Sequence, residues 1–488
     1  MTTELAGLTS AVAVARIRLR QDADLTEPSD PEEPTRIEIA GRTVSIPARG
    51  GGARTALRLL ARADCAEADL VRTVREHDGD LAVLRWQALV FKLDGAGLLE
   101  HAIGQAGDII ARLRPTGTGP VARATPVGRD VMVKLSRFAV LRADKGALTL
   151  AVPFGNARVD LCREGLAVVG TLTDWTSPEA VAAAVPGLTT SVAAAILGLL
   201  SAAGVLAPGG PEHDDESTDY QLAQWSVHDL WLHARSRSPG LQSGYGGSYP
   251  LADRFPPLPA VPPRRPGRRL ALAAPDLDQT ARADPPLTAV LENRRSVREH
   301  YDDAPITADQ LAELLYRAAR TRRTFRGTDG QEVADRPYPS GGSLHALEIY
   351  PLINRCDGIP GGLWHYASAD HELEAVSDPS PATAALVAAA RASSVMSADP
   401  QVVLIVTARF GRAMWKYATI AYSLVLKDVG ALYQTIYLVA SAMGLAVCGL
   451  GGGDAATFAA AAGLDPRSEG SVGEMTIGSR SDQLSSGG

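Results

Sequence analysis

The chain has 488 residues, of which 45% are hydrophobic and 21% charged, and this balance excludes a largely disordered protein. The length is too great for one ordinary core and predicts about three domains, at roughly 150 residues each. The formal net charge of −7, from 48 basic and 55 acidic residues, argues against a strongly basic protein that binds nucleic acid.

Cysteine usage and the N-terminus indicate a cellular compartment. The four cysteines form no CxxC pair and no Cys/His cluster: Cys65, Cys162, Cys356 and Cys448. We therefore expect neither a metal site nor a disulfide scaffold, and a reducing cytosol. The N-terminal apolar stretch precedes its basic residues, the reverse of a signal peptide, and no apolar run is long enough to span a membrane. The sequence predicts a cytoplasmic protein.

Two stretches of the N-terminal region share one order of elements. The strand-like segment Arg42–Pro47 precedes helical patterns that end at Gly97, and Leu148–Pro153 precedes helical patterns that end at Gly204. A small hairpin with short helices is typical of a winged helix. We therefore interpret residues 1–207 as a tandem pair of winged-helix-like domains.

The predicted winged-helix-like domains are residues 1–110 and 111–207. The candidate recognition helix of the second, residues 189–204, carries no charge, so we do not expect it to contact DNA bases. The edge of a wing remains a place where an extended peptide can add a strand.

Residues 208–283 are predicted to connect these domains to the last one, residues 284–488. The connection begins with an acidic, Gly/Pro-rich linker, Pro208–Asp219. A proline-rich segment from about Arg254 to Pro286 follows, and its proline content predicts an extended strap along a protein surface.

The last domain opens with a basic cluster after an apolar helical face. The cluster consists of Arg294, Arg295, Ser296 and Arg298, whose guanidiniums and hydroxyl can neutralise and hydrogen-bond a phosphate. A solvated basic helix end is the alternative. An amphipathic helix with Thr307 as its N-cap is predicted next.

A tight turn follows at Pro339, Ser340, Gly341 and Gly342, where glycines let backbone N–H groups approach a planar ligand. Two polar residues come just after it. His345 can serve as a ligand or an acid, although a single histidine is more often structural, and Glu348 can orient a partner.

Three elements dominate the C-terminal end. Gln401–Phe410 predicts a buried strand, Tyr422–Met443 a long and mostly apolar helix, and Met475–Arg480 a terminal strand. The glycine-rich turn after the helix, 451–453, is a weak signal alone.

In order, the chain presents the motifs RRSVR, PSGG followed by LHALEIYP, MWKY, the long helix, a GGG turn and IGSR. This set resembles the nitroreductase superfamily of FMN flavoproteins over residues 225–480. The WKY-x3-AY pattern resembles its azoline dehydrogenase branch, which matures thiazole- and oxazole-containing ribosomal peptides. The N-terminal region is similar to the extra region of longer members from thiopeptide and goadsporin-type pathways.

The resemblance implies FMN as cofactor and assigns roles to the motifs. Phosphate and ribityl contacts are implied for Arg294, Arg295, Ser296, Arg298 and Arg480. Contacts near the ring, or through backbone groups, are implied for Pro339, Ser340, Gly341, Gly342, Gly451, Gly452 and Gly453, with Gln434 on the long helix as a weaker candidate. This sequence departs from the family pattern at three positions. Ser423 stands where an arginine is common, Gly453 stands where an aromatic residue is common, and Arg480 is displaced by one position. These differences affect the substrate-side wall and the assignment of Arg480 to the phosphate.

The resemblance also implies that Lys416 and Tyr417 are catalytic. Oxidation of an azoline removes a proton from the former Cα of Ser, Thr or Cys while hydride leaves the adjacent carbon, so the protein must supply a base. A phenol has a pKa of about 10, and a neighbouring ammonium lowers the pKa of a phenol. Outside this family context, Lys-Tyr is a common dipeptide at the start of a helix.

The implied fold is α+β, with a mixed central sheet sandwiched by helices and FMN at the interface of a homodimer. The apolar helix Tyr422–Met443 fits burial against a second copy. A precursor peptide is the expected partner, together with a cyclodehydratase, and no nucleic acid or membrane partner is expected.

Three functions remain open from the sequence. The first is an FMN-dependent dehydrogenase that converts peptide thiazolines or oxazolines to azoles and passes electrons to dioxygen. The second is an NAD(P)H-dependent reductase of nitroaromatics or quinones, and the third is a scaffold that binds peptide through its winged helices without catalysis. The sequence does not distinguish thiazoline from oxazoline.

Overall fold

The structure is a computed structural model that describes residues 14–28, 30, 33–39, 42–47, 50–105, 108–117, 121–144, 146–237 and 246–481. The chain divides into two compact units, Met1–Gly244 and Tyr245–Gly488. The first 13 residues, on which the signal-peptide argument rests, lie outside the described residues. Across the described ranges, no helix combines the length and apolar character needed to cross a membrane.

The first unit alternates short antiparallel strands with helices. Its strands are β1 (Val14–Leu19), β2 (Ala23–Thr26), β3 (Thr35–Ile39), β4 (Arg42–Ile46), β5 (Cys65–Ala66), β6 (Leu99–Gln105), β7 (Asp108–Pro115), β8 (Val140–Asp144), β9 (Ala147–Ala151), β10 (Ala157–Leu161), β11 (Gly209–Gly210) and β12 (His213–Asp214). Its helices are α1 (Gly51–Arg62), α2 (Glu67–Asp78), α3 (Asp80–Gly95), α4 (Arg163–Gly170), α5 (Pro178–Ala184), α6 (Thr190–Ala202), α7 (Asp215–Thr218), α8 (Tyr220–Ala223) and α9 (Val227–Arg237).

One seven-stranded sheet runs through the first unit in the order β5-β1-β6-β7-β10-β9-β8. Strand β7 pairs with β6 on one side and with β10 on the other, so the predicted boundary at residue 110 falls inside a strand that joins both halves. The predicted helix ends are confirmed, because Gly97 and Gly204 have φ of +66° and +72°. The assignment of the two halves as winged helices stays a prediction.

The predicted linker 208–219 contains regular secondary structure, which its lack of apolar periodicity did not indicate. It forms the β11–β12 hairpin and α7, and Glu216 of α7 is buried. The Glu216 carboxylate accepts hydrogen bonds from the Ser136 hydroxyl at 2.5 Å and from the Arg137 backbone N–H at 2.8 Å. These long-range bonds hold the segment in place, and local composition does not reveal them.

The second unit is built around another seven-stranded sheet. The strands of that sheet are β13 (Arg269–Ala271), β16 (Leu347–Ile353), β17 (Gly362–Ala367), β18 (Glu372–Ser377), β19 (Val402–Arg409), β20 (Ala446–Gly449) and β21 (Glu469–Gly478). A separate hairpin consists of β14 (Arg323–Arg326) and β15 (Glu332–Asp335). The helices of this unit are α10 (Leu277–Ala283), α11 (Leu287–Asn293), α12 (Ala308–Ala319), α13 (Pro381–Ser394), α14 (Phe410–Met414), α15 (Ala421–Ala442) and α16 (Ala455–Ala462).

Helices cover both faces of this sheet, which confirms the predicted α+β sandwich. Along the buried strand β19, Leu404 packs into the core that contains α12 and α15, and the next residue, Ile405, packs into the core that contains α13 and α16. The prediction of a mixed sheet is wrong in detail, because every pairing in the order β13-β18-β17-β16-β19-β21-β20 is antiparallel. Short turns join β16, β17 and β18, and such turns give antiparallel neighbours.

Local signals predicted the elements that carry the site. Thr307 caps α12 in a capping box, and the predicted helix Tyr422–Met443 is α15. The strap is an extended segment up to β13, which pairs with β18 and forms one edge of the sheet. It also contains α10, which the proline content did not predict and which occupies the proline-free stretch after the Asp276 cap.

Candidate functional site

Lys416 and Tyr417 lie just after the short helix α14, whose position is fixed by a buried arginine. The Arg412 guanidinium donates to the carbonyl oxygens of Leu258 at 2.7 Å and Glu332 at 2.8 Å, and also to Leu344. Burial lowers the pKa of Arg412 to about 10. The strap and the β14–β15 hairpin are therefore both anchored to the segment that carries the two predicted catalytic residues.

The Lys416 ammonium forms an ion pair with Asp329, with 2.8 Å between Nζ and Oδ2. Tyr249 donates its hydroxyl to the same carboxylate oxygen at 3.0 Å. Burial alone lowers the pKa of Lys416, but the hydrogen bond and the charge of Asp329 outweigh it, so this pKa is raised. Lys416 is therefore charged at neutral pH.

The Pro-Ser-Gly-Gly turn lies against the Lys-Tyr pair. Gly342 has φ of +62°, and a Cβ atom at Gly342 would lie 2.6 Å from the Tyr417 hydroxyl and 3.7 Å from the Lys416 Nζ. Only glycine permits this approach without strain. The structure thus brings together two motifs that lie more than 70 residues apart in the sequence.

A buried carboxylate on α15 holds the other half of the turn. Asp428 accepts hydrogen bonds from the Ser340 hydroxyl at 2.6 Å and from the Gly341 backbone N–H at 3.0 Å. Burial raises the pKa of Asp428. Ser340 also accepts a bond from the His345 backbone N–H at 2.9 Å, so the turn is fixed at both ends.

The basic cluster meets the long helix at Tyr437. The Tyr437 hydroxyl lies 2.9 Å from the Ser296 hydroxyl and accepts a hydrogen bond from the Gly449 N–H at 2.7 Å. The Arg294 guanidinium lies over the Tyr437 ring, 5.2 Å from its centroid. The cluster is thus folded onto α15 and does not form a detached basic tail.

Two predicted phosphate contacts line one small cavity. Arg295 and Arg480 line it together with Asn293 and Ser441. Arg295 also donates to the carbonyl oxygen of Glu292 at 2.7 Å. The lining therefore includes two arginines and a serine beside apolar residues, and arginine and serine are residue types that bind phosphate.

The remaining predicted residues are at exposed positions. Arg298, Pro339 and Gln434 are exposed. In the glycine turn, the Gly452 carbonyl accepts a bond from Ser393, and a Cβ at Gly453 would collide with the Glu474 carboxylate. Among the described residues, no hydrogen bond or ion pair joins Arg298, Gln434, Gly452 or Gly453 to Lys416 or Tyr417.

The two polar residues that follow the turn, His345 and Glu348, are both buried. His345 is buried, and burial together with Arg336 lowers its pKa to about 3, so it is neutral. Glu348 is buried and lies 3.4 Å from Arg336 and 3.5 Å from His365. Burial raises the pKa of Glu348, but the charges of Arg336, His365 and Arg409 outweigh it and lower the pKa overall.

Four residues of the site were not predicted from the sequence: Tyr249, Asp329, Asp428 and Tyr437. Asp428 had one available signal, because it is a lone carboxylate on the buried face of an apolar helix. Asp329 lies in an ordinary Asp-Gly turn, and Tyr249 lies just before the strap. Neither has a local pattern that indicates a site.

Two family models match the chain. Residues 291–479 match the nitroreductase family, and residues 133–240 match the cyanobactin oxidase ThcOx model. The first match contains nearly all of the site described above, and the second lies within the first unit. The resemblance to nitroreductases is thereby confirmed for the C-terminal domain.

Three relatives are similar to parts of the chain. The nitroreductase-type protein MJ1384 of Methanocaldococcus jannaschii is 28% identical over 185 residues, which are 38% of this chain and 85% of that protein. The trifolitoxin-processing protein TfxB of Rhizobium leguminosarum bv. trifolii is 29% identical over 33% of this chain and 45% of its own. The microcin B17-processing protein McbC of Escherichia coli is 30% identical over 22% of this chain and 42% of its own. The match thus spans less than half of each peptide-processing relative.

Two solved structures contain chains that are similar to this one, both with low TM-scores. A chain of the E. coli microcin synthetase McbBCD complex with truncated pro-MccB17 bound covers 53% of this chain and 99% of itself, at 20% identity and a TM-score of 0.33. A nitroreductase-type protein of Desulfovibrio desulfuricans in complex with FMN covers 40% of this chain and 86% of itself, at 18% identity and a TM-score of 0.27. From the family matches, the chain carries a nitroreductase-family domain over residues 291–479, preceded by a segment that matches the cyanobactin oxidase model.

Proposed function

We propose that this chain is an FMN-dependent azoline dehydrogenase, which oxidises thiazoline or oxazoline rings of a ribosomally made peptide to thiazoles or oxazoles. One observation carries the proposal: Gly342 of the Pro-Ser-Gly-Gly turn lies directly against the Tyr417 hydroxyl and beside the Lys416 ammonium. A proton acceptor and a fixed positive charge thus meet at the turn that the family resemblance assigns to the flavin ring. The names of two relatives, which process trifolitoxin and microcin B17, support a peptide substrate.

The residues present fit FMN. Arg295 and Arg480 line one cavity and would hold the phosphate, because guanidiniums bind phosphate oxygens through paired donors. Gly341 and Gly342 present a turn without side chains, which would let the backbone approach a flat ring. Gly451 and Gly452 have open space at their Cβ positions and can approach the cofactor in the same way.

The chemistry divides between cofactor and protein. FMN, when bound, supplies the two-electron acceptor, and dioxygen is the proposed terminal acceptor. The azoline loses one ring hydrogen as a proton and the adjacent one with its electron pair, so that a carbon–carbon double bond forms and the ring becomes aromatic. Tyr417, as its phenolate, takes the proton, and the Lys416 ammonium stabilises that phenolate.

A second candidate function is NAD(P)H-dependent reduction of nitroaromatics or quinones. It is favoured by the match to MJ1384, which covers 85% of that nitroreductase-type protein. Simple hydride transfer from a nicotinamide to a flavin needs no protein base, so this function leaves the Lys416–Tyr417 arrangement without a role. The two functions differ in which molecule reduces the flavin.

The deciding experiment begins with the visible spectrum of the purified protein and identification of any chromophore released by heat. We expect FMN at about one per chain. The flavin is then mixed without oxygen with a thiazoline-containing peptide and, separately, with NADPH. Bleaching by the peptide, with an azole product two mass units lighter, supports the dehydrogenase. Bleaching by NADPH alone supports the reductase, and a colourless protein that takes up no FMN contradicts both.

We also propose a cytoplasmic homodimer that works with a precursor peptide and a cyclodehydratase. The second unit exposes apolar side chains on two helices in contact: Leu291 of α11 is 47% exposed, and Leu426 of α15 is 41% exposed. A second copy would cover this surface. Sedimentation of the wild type and of Leu426→Glu tests the dimer, which the charge should weaken.

For the first unit, peptide binding is tested by deleting residues 1–207 and measuring turnover of leader-bearing and leaderless peptides.

A further inference from the structure

The carboxylate of Asp329 receives bonds from three directions. Its Oδ2 accepts from the Lys416 ammonium at 2.8 Å and the Tyr249 hydroxyl at 3.0 Å, and its Oδ1 accepts from the Gln331 backbone N–H at 3.0 Å. The Asp329 side chain is only 10% exposed and that of Lys416 only 17%. Screening by water is therefore limited, so the Coulomb attraction between these two charges is stronger than in an exposed ion pair.

The hairpin that carries Asp329 is fixed to the Lys-Tyr segment. Asp329 lies in the turn between β14 and β15, which is closed by a hydrogen bond from the Gly327 N–H to the Gln331 carbonyl at 2.8 Å. Gln331 is fully buried, and its amide donates to the Arg412 carbonyl at 2.9 Å. The turn is thus tied to α14, a few residues before Lys416.

The segment before the strap holds Lys416 from its other side. The backbone N–H groups of Ser248 and Tyr249 both donate to the Lys416 carbonyl, at 2.9 Å and 3.0 Å. The Ser248 hydroxyl accepts from the Ala418 N–H at 3.2 Å, so these bonds bracket Tyr417. Tyr249 has φ of +47°, a strained conformation for a tyrosine, and its ring packs edge-on against Trp415.

These contacts indicate different roles for Lys416 and Tyr417. We propose that Asp329 and Tyr249 are positioning residues, which hold Lys416 as an ammonium ion beside Tyr417, so that Tyr417 alone accepts the substrate proton. This inference rests on the proposed dehydrogenase function. The hydrogen bond from Lys416 lowers the pKa of Asp329, which keeps the carboxylate charged. In the described part of the second unit, the titratable groups that act on Lys416 are Asp329, Tyr417 and Tyr249.

The first test measures the ionisation of Lys416 without relying on turnover. Full-length protein is acetylated with trace acetic anhydride across a pH series, and the labelling of Lys416 is quantified by peptide mass spectrometry. In Asp329→Asn, the labelling curve should move to lower pH by roughly one unit, because the anionic partner is lost. Asp335→Asn is the matched control on the same hairpin, since Asp335 pairs with Arg322 and Arg323 instead. It should leave the curve unchanged.

The second test follows azoline oxidation by the same variants. Asp329→Asn should keep its FMN, lower kcat by about tenfold, and lose activity at a lower alkaline pH than the wild type. Tyr249→Phe, which removes the hydrogen bond that Tyr249 donates to the Asp329 carboxylate but leaves the Lys416–Asp329 ion pair, should lower kcat by roughly threefold. If the wild type oxidises azolines but its Lys416 labelling curve is identical to that of Asp329→Asn, the positioning role is wrong. An FMN-loaded wild type without azoline turnover instead overturns the proposed function.

Discussion

Gly342 and Tyr417 are in direct contact: a Cβ atom at Gly342 would lie 2.6 Å from the tyrosine hydroxyl. The glycine also has φ of +62°, where other residues are strained. Side-chain volume at this position would therefore displace the proposed base. Through this contact, the turn assigned to the cofactor and the Lys-Tyr motif form one site.

Replacing Gly342 by alanine should disable the site more than it unfolds the protein. We expect Gly342→Ala to lower kcat by at least about tenfold, because Tyr417 must move, and to lower the free energy of unfolding by about 1 kcal/mol. Ser343→Ala is the matched control, since Ser343 has φ of +54° and already carries a Cβ. Steady-state kinetics and urea unfolding measure the two effects. A Gly342→Ala variant with wild-type kcat would refute the contact's role.

The Lys-Tyr pair should be needed for turnover and not for cofactor binding. Tyr417→Phe removes the proton acceptor, and Lys416→Ala removes the ammonium that stabilises it. Each should lower azoline oxidation by about 10²-fold or more. Both variants should retain FMN, as measured by the flavin absorbance per chain. If either variant oxidises substrate at the wild-type rate, that residue is neither the base nor its activator.

The two arginines that line one cavity should determine the affinity for FMN. Arg295→Ala and Arg480→Ala each remove a guanidinium from this cavity, and each should weaken FMN binding by roughly tenfold or more. Fluorescence titration of the apoprotein with FMN measures the change. Arg467→Ala is the control, because that arginine is exposed and pairs with Asp465 at the surface. Unchanged affinity in both cavity variants would remove the phosphate assignment.

Local patterns predicted the elements of the C-terminal domain, but they did not predict the partners that arrange the site. The capping residue Thr307 and the continuous apolar run of β19 act within one element, so the sequence displays them directly. Asp329 and Tyr249 lie 80 residues apart and meet only because a hairpin turn and the segment before the strap pack on α14. Similarly, the role of Glu216 in fixing its segment depends on hydrogen bonds from residues about 80 positions earlier. Tertiary packing, which a single sequence does not reveal, decides such contacts.

Acid should destabilise the second unit through His345 and His300. Burial lowers the pKa of His345 to about 3 and that of His300 to about 4, from an ordinary value of 6.5. Between these values and pH 6.5 the unfolded chain binds more protons than the folded one, so stability falls as the pH is lowered through this window. The loss at His345 is complete only near pH 3.

His345→Asn tests this linkage, because asparagine is neutral and tolerates the φ of +44° at this position. The variant is expected to be less stable at pH 7, since it loses the packing of the imidazole on the Tyr338 ring. Its unfolding free energy should nevertheless fall less steeply than that of the wild type between pH 6.5 and pH 4. Urea unfolding of both proteins across this range, followed by tryptophan fluorescence, gives the two slopes. Parallel slopes would mean that His345 already carries a proton in the folded protein, and the neutral assignment of this residue beside the Pro-Ser-Gly-Gly turn would be wrong.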